Sequence, residues 1–115
     1  IETIHLKEES CCGAMSHHLG AEDQTHTMIC RNIDAWWPHI ESGAEAIVST
    51  ASACGLMIKD YGHLMRNDTE YAQKAERISA LTRDISEVIA KEDLSPLEIK
   101  PAGKIAFHPP CTLQH

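Results

Sequence analysis

Short apolar stretches typical of strands alternate along this chain with longer stretches in which apolar residues have helical spacing. Residues 2–6 alternate polar and apolar side chains, which predicts a first strand. Residues 46–48 form a short, apolar, largely β-branched run that is typical of a buried parallel strand. Residues 104–107 predict a third strand, which ends at a His-Pro-Pro sequence. Three short strands therefore lie far apart in the sequence.

Helical patterns occupy the stretches between these strands. A first helix is predicted from about residue 22 to 37 and onward through Trp-Trp-Pro, on apolar spacings of four, three and four (Ile29, Ile33, Trp36 and Ile40). Pro38 has no amide proton, so we expect it to bend or restart this helix. A second helix is predicted from about residue 54 to 65. A third is predicted from 71 to 88, with Asn67 as its N-cap and Glu70 at the capping-box position.

Strands separated by helices require crossover connections, so the sheet should be mostly parallel. We therefore predict an α/β fold in which a small, mostly parallel sheet has flanking helices. The length of 115 residues suits one small domain, and residues 93–103 predict a loop. Because the chain opens on Ile1 inside a predicted strand and closes soon after a cysteine, we interpret it as a fragment of a longer protein.

Charge and composition exclude several classes of function. The net charge is −7 and no cluster of Lys and Arg is present, which excludes a typical nucleic-acid surface. The most apolar stretch, residues 44–58, is too short and too polar to span a membrane, and no signal peptide is recognisable. Neither a phosphate-binding glycine loop nor a nucleophile elbow occurs. The cysteine count of five is odd, which favours reduced thiols in the cytoplasm over a disulfide framework.

Four of the cysteines follow predicted strands. Cys11 and Cys12 come after the first strand, Cys54 after the second and Cys111 after the third. Turns that follow parallel strands gather at one edge of a sheet, where ligands usually bind. These thiols are therefore candidates for binding a cofactor, and Cys11, Cys12 and Cys54 are candidates for binding a metal. Cys30, in the middle of a predicted helix, is interpreted as a packing residue.

The spacing of the cysteines does not identify the metal. Zinc prefers a closed tetrahedral set of ligands, and iron–sulfur clusters bind the same thiolates. The chain has eight histidines. His17 and His18 follow the Cys-Cys-Gly turn, and His108 and His115 flank Cys111, so these four are candidate ligands or proton carriers. We interpret all eight as surface or satisfied core residues.

At Cys11-Cys12-Gly13 the chain resembles a known family. The runs CCGAMSHHLGAED, RNIDAWWPHIESGAEAIVSTASACG and IAFHPPCTLQH are similar to the iron–sulfur subunit of glycolate oxidase (glycolate dehydrogenase). They are more distantly similar to the cysteine-rich domain of heterodisulfide reductase and of lactate-utilisation proteins. The resemblance extends from about residue 10 to 115. One departure stands out, because Ala51 replaces the first cysteine of the family's C-x-x-C, whose second cysteine corresponds to Cys54.

The resemblance implies a redox module with an iron–sulfur cluster, in a full subunit whose N-terminal ferredoxin-like portion would carry two 4Fe-4S clusters. Residues 1–103 would be a first CCG module without its N-terminal part, and residues 104–115 would open a second module with Cys111. The full subunit would pass electrons from flavin-containing subunits, which oxidise glycolate to glyoxylate, towards a membrane acceptor. It would be cytoplasmic, with peripheral membrane association through the complex. The chain by itself, without a flavin site, is expected to be non-catalytic.

Two other functions stay open at this point. The chain could be a structural or zinc-binding domain that docks partner subunits through Trp36 and Trp37. Thiol–disulfide chemistry between Cys11 and Cys12 is the third hypothesis, although a vicinal disulfide closes a strained ring. Exposed sheet edges would also favour a non-native dimer of the fragment.

Overall fold

The computed structural model describes residues 1–100 and 103–114. Within these residues the chain forms six α-helices and two strands: α1 (Ala14–His18), α2 (Glu22–Glu41), β1 (Ile47–Ser49), α3 (Ser52–Lys59), α4 (Tyr61–Leu64), α5 (Ala72–Leu81), β2 (Thr82–Asp84) and α6 (Ile85–Ile89). Short 3-10 turns lie at Ser95–Leu97 and Cys111–Leu113. None of the helices in the described ranges combines the length and the apolar character that crossing a membrane requires.

The two strands form a parallel sheet, which confirms the predicted small α/β fold. Ile47 pairs with Thr82 and Ser49 pairs with Asp84, so both strands end at the same edge. The crossover between them contains α3, α4 and α5. Strand β1 lies where the apolar β-branched run predicts it, one residue later than expected.

The predicted first and third strands are wrong. Residues 2–6 and 104–107 have no regular secondary structure and pair with no strand in the described chain. Ile105 and Phe107 are each 76% exposed. Alternating side chains fit a strand only where a neighbouring strand completes its backbone hydrogen bonds, and neither segment pairs with β1 or β2.

The predicted helix over residues 71–88 is also wrong in part, because β2 interrupts it after Leu81. The Thr82 hydroxyl donates to the Ile78 carbonyl oxygen, and the chain then becomes extended. A capping box, formed by Asp84 and Glu87, starts α6. The apolar spacing continues across this break, so periodicity alone merges two helices and the strand between them.

Two further helix limits differ from the sequence predictions. The second predicted helix is broken at Asp60 into α3 and α4. Asn67 is not the N-cap of the next helix. The N-cap position is Tyr71, which has no side-chain cap. Asp68 instead stabilises the preceding turn, because its Oδ1 accepts from the amides of Glu70 and Tyr71, each at 2.9 Å.

Helix α2 supplies one side of the core through the predicted apolar face. Ile29, Ile33 and Trp36 are buried, and the Trp36 ring stacks on Tyr61 with centroids 6.2 Å apart. Pro38 lies inside α2, which continues to Glu41 and does not restart. The opposing core residues come from α3, α4 and α5 (Met57, Ile58, Tyr61, Ala75 and Ile78).

Two of the sequence predictions touch residues outside the described ranges. The loop over 93–103 includes Pro101 and Ala102, and the histidines flanking Cys111 include His115. The division into modules 1–103 and 104–115 stays a prediction.

Candidate functional site

The Cys-Cys-Gly turn lies directly before α1. Gly13 has φ 88° and ψ 0°, in the left-handed region, and its carbonyl oxygen accepts from the His17 amide at 2.9 Å. This reversal turns the chain inward, so that Cys12 is 8% exposed whereas its neighbour Cys11 is exposed. The two adjacent thiols therefore occupy different environments.

Two buried side chains hold the backbone of this turn. Asn32 Nδ2 donates to the Cys11 carbonyl oxygen at 3.0 Å, and Asn32 Oδ1 accepts from the Ser10 amide at 2.7 Å. The Tyr61 hydroxyl donates to the Cys12 carbonyl oxygen at 2.7 Å and accepts from Asn32 Nδ2 at 3.2 Å. Burial raises the pKa of Tyr61, so its hydroxyl stays protonated and able to donate. Helices α2 and α4 thus meet at the Cys-Cys backbone.

Cys54 follows strand β1 and is the second element of the site, beside the Cys-Cys-Gly turn. Strand β1 ends at Ser49, whose hydroxyl donates to the Ala51 carbonyl oxygen at 2.9 Å, and α3 begins at Ser52. Cys54 lies in the first turn of α3 and is partly buried against the core. Gly55 follows it, and a Cβ at this glycine would lie 3.3 Å from the Ser49 Cβ. The close approach of α3 to β1 thus explains this glycine.

Cys12 belongs to the buried core cluster, and Cys54 packs against that cluster, close enough to influence the ionisation of Cys12. Burial is the main reason that the pKa of Cys12 is raised to about 11; the Ala14 amide opposes the rise, and Cys54 and Cys11 add to it. Cys12 is therefore a protonated thiol at neutral pH. A bound cation would have to displace this proton, since the thiolate is the form that ligates metals.

Cys111 approaches α3 from the C-terminal segment. It is exposed, at the start of the 3-10 turn Cys111–Leu113. The hydroxyl of the next residue, Thr112, donates to the Ser52 hydroxyl at 2.7 Å. A cavity of about 60 Å³ lies there, lined by Ser52, Gly55, Leu56, Lys59, Asp84, Thr112 and Leu113. Cys111 thus belongs to a segment that packs on the helix carrying Cys54, although residues 104–110, which lead into it, form no strand.

Cys30 lies in the middle of α2, apart from this group. It packs partly buried against the core, as predicted, and its sulfur lies 3.7 Å from His26 Nδ1. His26 Nε2 lies 2.8 Å from Asp68 Oδ2, and this contact helps to hold the pKa of Asp68 below its usual value. His17 and His18 are exposed, with ring centroids 5.9 Å apart.

The donors suit a thiophilic metal in type but not in number. Thiols are the ligands of zinc and of iron–sulfur clusters. Within residues 1–100 and 103–114, however, no three His, Cys, Asp or Glu side chains are arranged to hold a metal ion. The chain contributes Cys12, Cys54 packed against the same core cluster, and Cys11 adjacent to Cys12 in sequence. These thiols are only part of the four-thiolate set that a cluster commonly uses.

Asn32 and Tyr61 were not singled out from the sequence. One signal for Asn32 was available, because it lies three residues after Ile29 and one before Ile33, on the buried face of α2. A polar side chain on an apolar helix face needs a buried hydrogen-bonding partner. Tyr61 carries no comparable signal, since its partner is a backbone carbonyl 49 residues away.

Comparison with known proteins relates this arrangement to a cysteine-rich group. The family model described as CCG, cysteine-rich domain, matches residues 1–59. The chain is 48% identical over 115 residues, its whole length, to the glycolate oxidase iron-sulfur subunit of Escherichia coli (strain K12), of which it covers 28%. It is 26% identical over 92 residues, 80% of its length, to the probable glycolate oxidase iron-sulfur subunit of Bacillus subtilis (strain 168), of which it covers 20%.

A lactate utilization protein A, from Anoxybacillus flavithermus (strain DSM 21510 / WK1), is 28% identical over 114 residues, which are 95% of this chain and 44% of that protein. The chain therefore spans less than half the length of each of these curated relatives. No solved structure matches it.

Proposed function

The chain belongs to the cysteine-rich CCG domain family, and from this premise we propose that it is the redox module of an iron–sulfur subunit of the glycolate oxidase type. Its thiols would hold an iron–sulfur cluster through Cys11, Cys12 and Cys54. The cluster, when bound, would supply one-electron redox chemistry. The surrounding residues would bind it and limit its contact with water.

The meeting of Cys12 with Cys54 is the observation that supports this proposal. Cys54 packs against the core cluster that contains Cys12, although 41 intervening residues, including all of α1, α2 and β1, separate the two cysteines in sequence. Neither thiol is in a disulfide. A buried thiol that only fills space needs no second thiol beside it, whereas a soft metal centre needs at least two.

The remaining ligands follow from the residues beside this pair. Cys11 would be the third ligand, because it adjoins Cys12 in sequence. Since no three donors of the described residues are arranged around a common point, binding of the cluster would have to bring Cys11 to the other two thiols. Cys111 is a cofactor-binding residue outside the metal set, on the segment that packs against α3. The other donors would come from a part of a longer subunit, since the chain covers only 28% of the Escherichia coli relative.

The proposal extends to the assembly in which such a module would work. It would accept electrons from flavin-containing subunits that oxidise glycolate to glyoxylate, and pass them towards a membrane acceptor. We place it in the cytoplasm, with peripheral association at the inner face of the membrane through the complex. The net charge of −7 supports protein partners over nucleic acid.

Metal and sulfide analysis of protein purified and reconstituted without oxygen tests the proposal. We expect iron, labile sulfide and visible absorption in the wild type, all strongly reduced in Cys12→Ser and Cys54→Ser. Cys30→Ser is the matched control, because Cys30 is also partly buried but contacts His26 and not the Cys-Cys turn. Full cluster content in the Cys12→Ser and Cys54→Ser variants would refute the ligand assignment.

Two other measurements bear on the assignment of the chain as an iron–sulfur module. Zinc at about one ion per chain, without iron or labile sulfide, would support the structural, subunit-docking alternative. In that case Trp37 would be the docking residue, since Trp36 is buried in the core and Trp37 lies partly exposed beneath the Lys74 ammonium group. The same analysis on the full-length subunit would establish whether additional ligands are needed.

A further inference from the structure

We propose that Asn32 and Tyr61 are positioning residues that hold the Cys11–Cys12 backbone, so that the Cys12 thiol is presented to Cys54. This inference deepens the proposed function and rests on it only where the bound cluster is concerned. Neither residue would touch a metal. Each would act through the peptide groups on either side of the ligating side chains.

The hydrogen-bond pattern carries the inference. Three consecutive residues, Ser10, Cys11 and Cys12, each have a backbone group bonded to Asn32 or Tyr61. Both side chains are 0% exposed, and the Asn32 amide joins them. Both polar atoms of the Asn32 side chain therefore bond to the same turn. Its Oδ1 accepts from the Ser10 amide, and its Nδ2 donates to the Cys11 carbonyl oxygen.

The chain preceding the turn explains why such a device is needed. Residues 1–9 have no regular secondary structure and are mostly exposed, so no strand ladder fixes the entry to the Cys-Cys sequence. Only α1 follows, and it is five residues long. The two buried side chains replace the missing ladder, because they supply three of the backbone hydrogen bonds that a strand would otherwise make.

These hydrogen bonds fix the orientation of the Cys12 side chain, because they hold the peptide groups on both sides of it. The Cys11 carbonyl is drawn towards α2 and the Cys12 carbonyl towards α4, and fixing both peptide groups fixes the Cα–Cβ bond of Cys12 between them. Trp36 stacks on the Tyr61 ring and restrains the hydroxyl in turn. Outer-shell groups of this kind commonly orient the ligands of metal sites.

Hydrogen exchange in the wild-type, metal-free chain is the first test, and it needs no variant. The Ser10 amide should exchange more slowly than the amides of Glu8 and Glu9, which belong to the same exposed segment and make no such bond. Loss of one net hydrogen bond corresponds to about fivefold in an equilibrium constant, so at least about fivefold protection is expected. Equal exchange at the three amides would overturn the proposal.

Alkylation of Cys12 by iodoacetamide, at fixed pH and localised by tandem mass spectrometry, is the second test. Tyr61→Phe keeps the stacked ring but removes the hydroxyl that donates to Cys12, so Cys12 should be labelled at least about fivefold faster. Thr82→Val is the stability control, because it removes a fully buried hydroxyl bonded to Ile78, away from the turn. Because sites that share no contacts couple only weakly, its Cys12 labelling should change less than about twofold.

Both alternative outcomes refute the positioning role. Equal acceleration in Tyr61→Phe and Thr82→Val would mean that Cys12 becomes reactive only through global unfolding. No acceleration in Tyr61→Phe would mean that the hydroxyl does not restrain the thiol. Tyr71→Phe supplies a chemical control, since its hydroxyl donates to the exposed Asp34 carboxylate and not to the turn.

A final measurement separates this inference from the proposed function. After anaerobic reconstitution, Tyr61→Phe should shift the visible spectrum or the midpoint potential of the iron centre, and Tyr71→Phe should not. If the wild type takes up no iron, the proposed function fails while the exchange and alkylation results still decide the positioning role. If iron binds and Tyr61→Phe alters neither spectrum nor potential, the positioning role fails alone.

Discussion

Replacing Gly13 by alanine tests whether the Cys-Cys-Gly turn requires glycine for its backbone or for the space beside it. The backbone has φ 88°, in a region where a Cβ costs about 1–2 kcal/mol in conformational strain. The space is sufficient, because a Cβ would lie 3.6 Å from the Thr25 Cγ2, 3.7 Å from the Met57 Cε and 3.8 Å from the Met28 Cβ. These are ordinary van der Waals contacts, so strain should decide the outcome.

We therefore expect Gly13→Ala to lower the free energy of unfolding by about 1–2 kcal/mol. For a chain of this size that corresponds to a fall of roughly 4–8 °C in the melting temperature. Gly13→Asn should recover part of the loss, because asparagine tolerates left-handed backbone better than alanine does. Circular dichroism melts of the reduced, metal-free chain measure both variants.

Gly20→Ala is the matched control for this experiment. Gly20 has φ 74°, and a Cβ added to it would meet nothing within 4 Å, so its loss of stability should be similar. Only Gly13→Ala should change the alkylation rate of Cys12, since only Gly13 adjoins it. A Gly13→Ala melting temperature within about 2 °C of wild type would refute the left-handed turn.

Three further results are expected. Ile33→Ala, at a fully buried position, should cost about 2–5 kcal/mol in chemical denaturation, and a cost below about 1 kcal/mol would contradict the core described for α2. Lys59→Met should cost no more than about 1 kcal/mol, and less at high salt, because the Lys59–Glu87 ion pair at 2.6 Å is partly exposed. The pKa of Asp84 is lowered by hydrogen bonds from the Ser86 hydroxyl and amide, so its contribution to stability is present above the ordinary carboxyl pKa and disappears as pH falls through the lowered value. Melting temperatures between about pH 2 and pH 6 should accordingly depend less on pH in Asp84→Asn than in wild type.

The turn sequence and the cysteine pattern were readable without the fold. The Cys-Cys-Gly sequence predicts a turn, and the run 46–48 predicts the strand before Cys54. The structure confirms that strand and packs Cys54 against the core cluster that contains Cys12. The prediction that Cys11 and Cys12 follow a strand was wrong, however. Residues 1–10 form no strand, and two buried side chains hold the turn instead.

Helical periodicity correctly predicted which face of a helix is buried, but it did not predict where a helix ends. The spacing of Ile29, Ile33 and Trp36 identifies the buried face of α2, because one surface of a helix must contact the core. The same kind of spacing continued through residues 82–84 and concealed β2. Whether such a segment is extended depends on β1, which offers it a parallel partner 35 residues away in the chain.

Local sequence therefore determined which residues turn, which helix faces are apolar and which side chains carry soft donors, because these depend on near neighbours and on side-chain chemistry. Tertiary structure alone decided which thiols meet and what holds them. The bonds from Asn32 to Cys11 and from Tyr61 to Cys12 join residues 21 and 49 positions apart. Such contacts exist only after helices α2 and α4 have packed, and no pattern of adjacent residues encodes them.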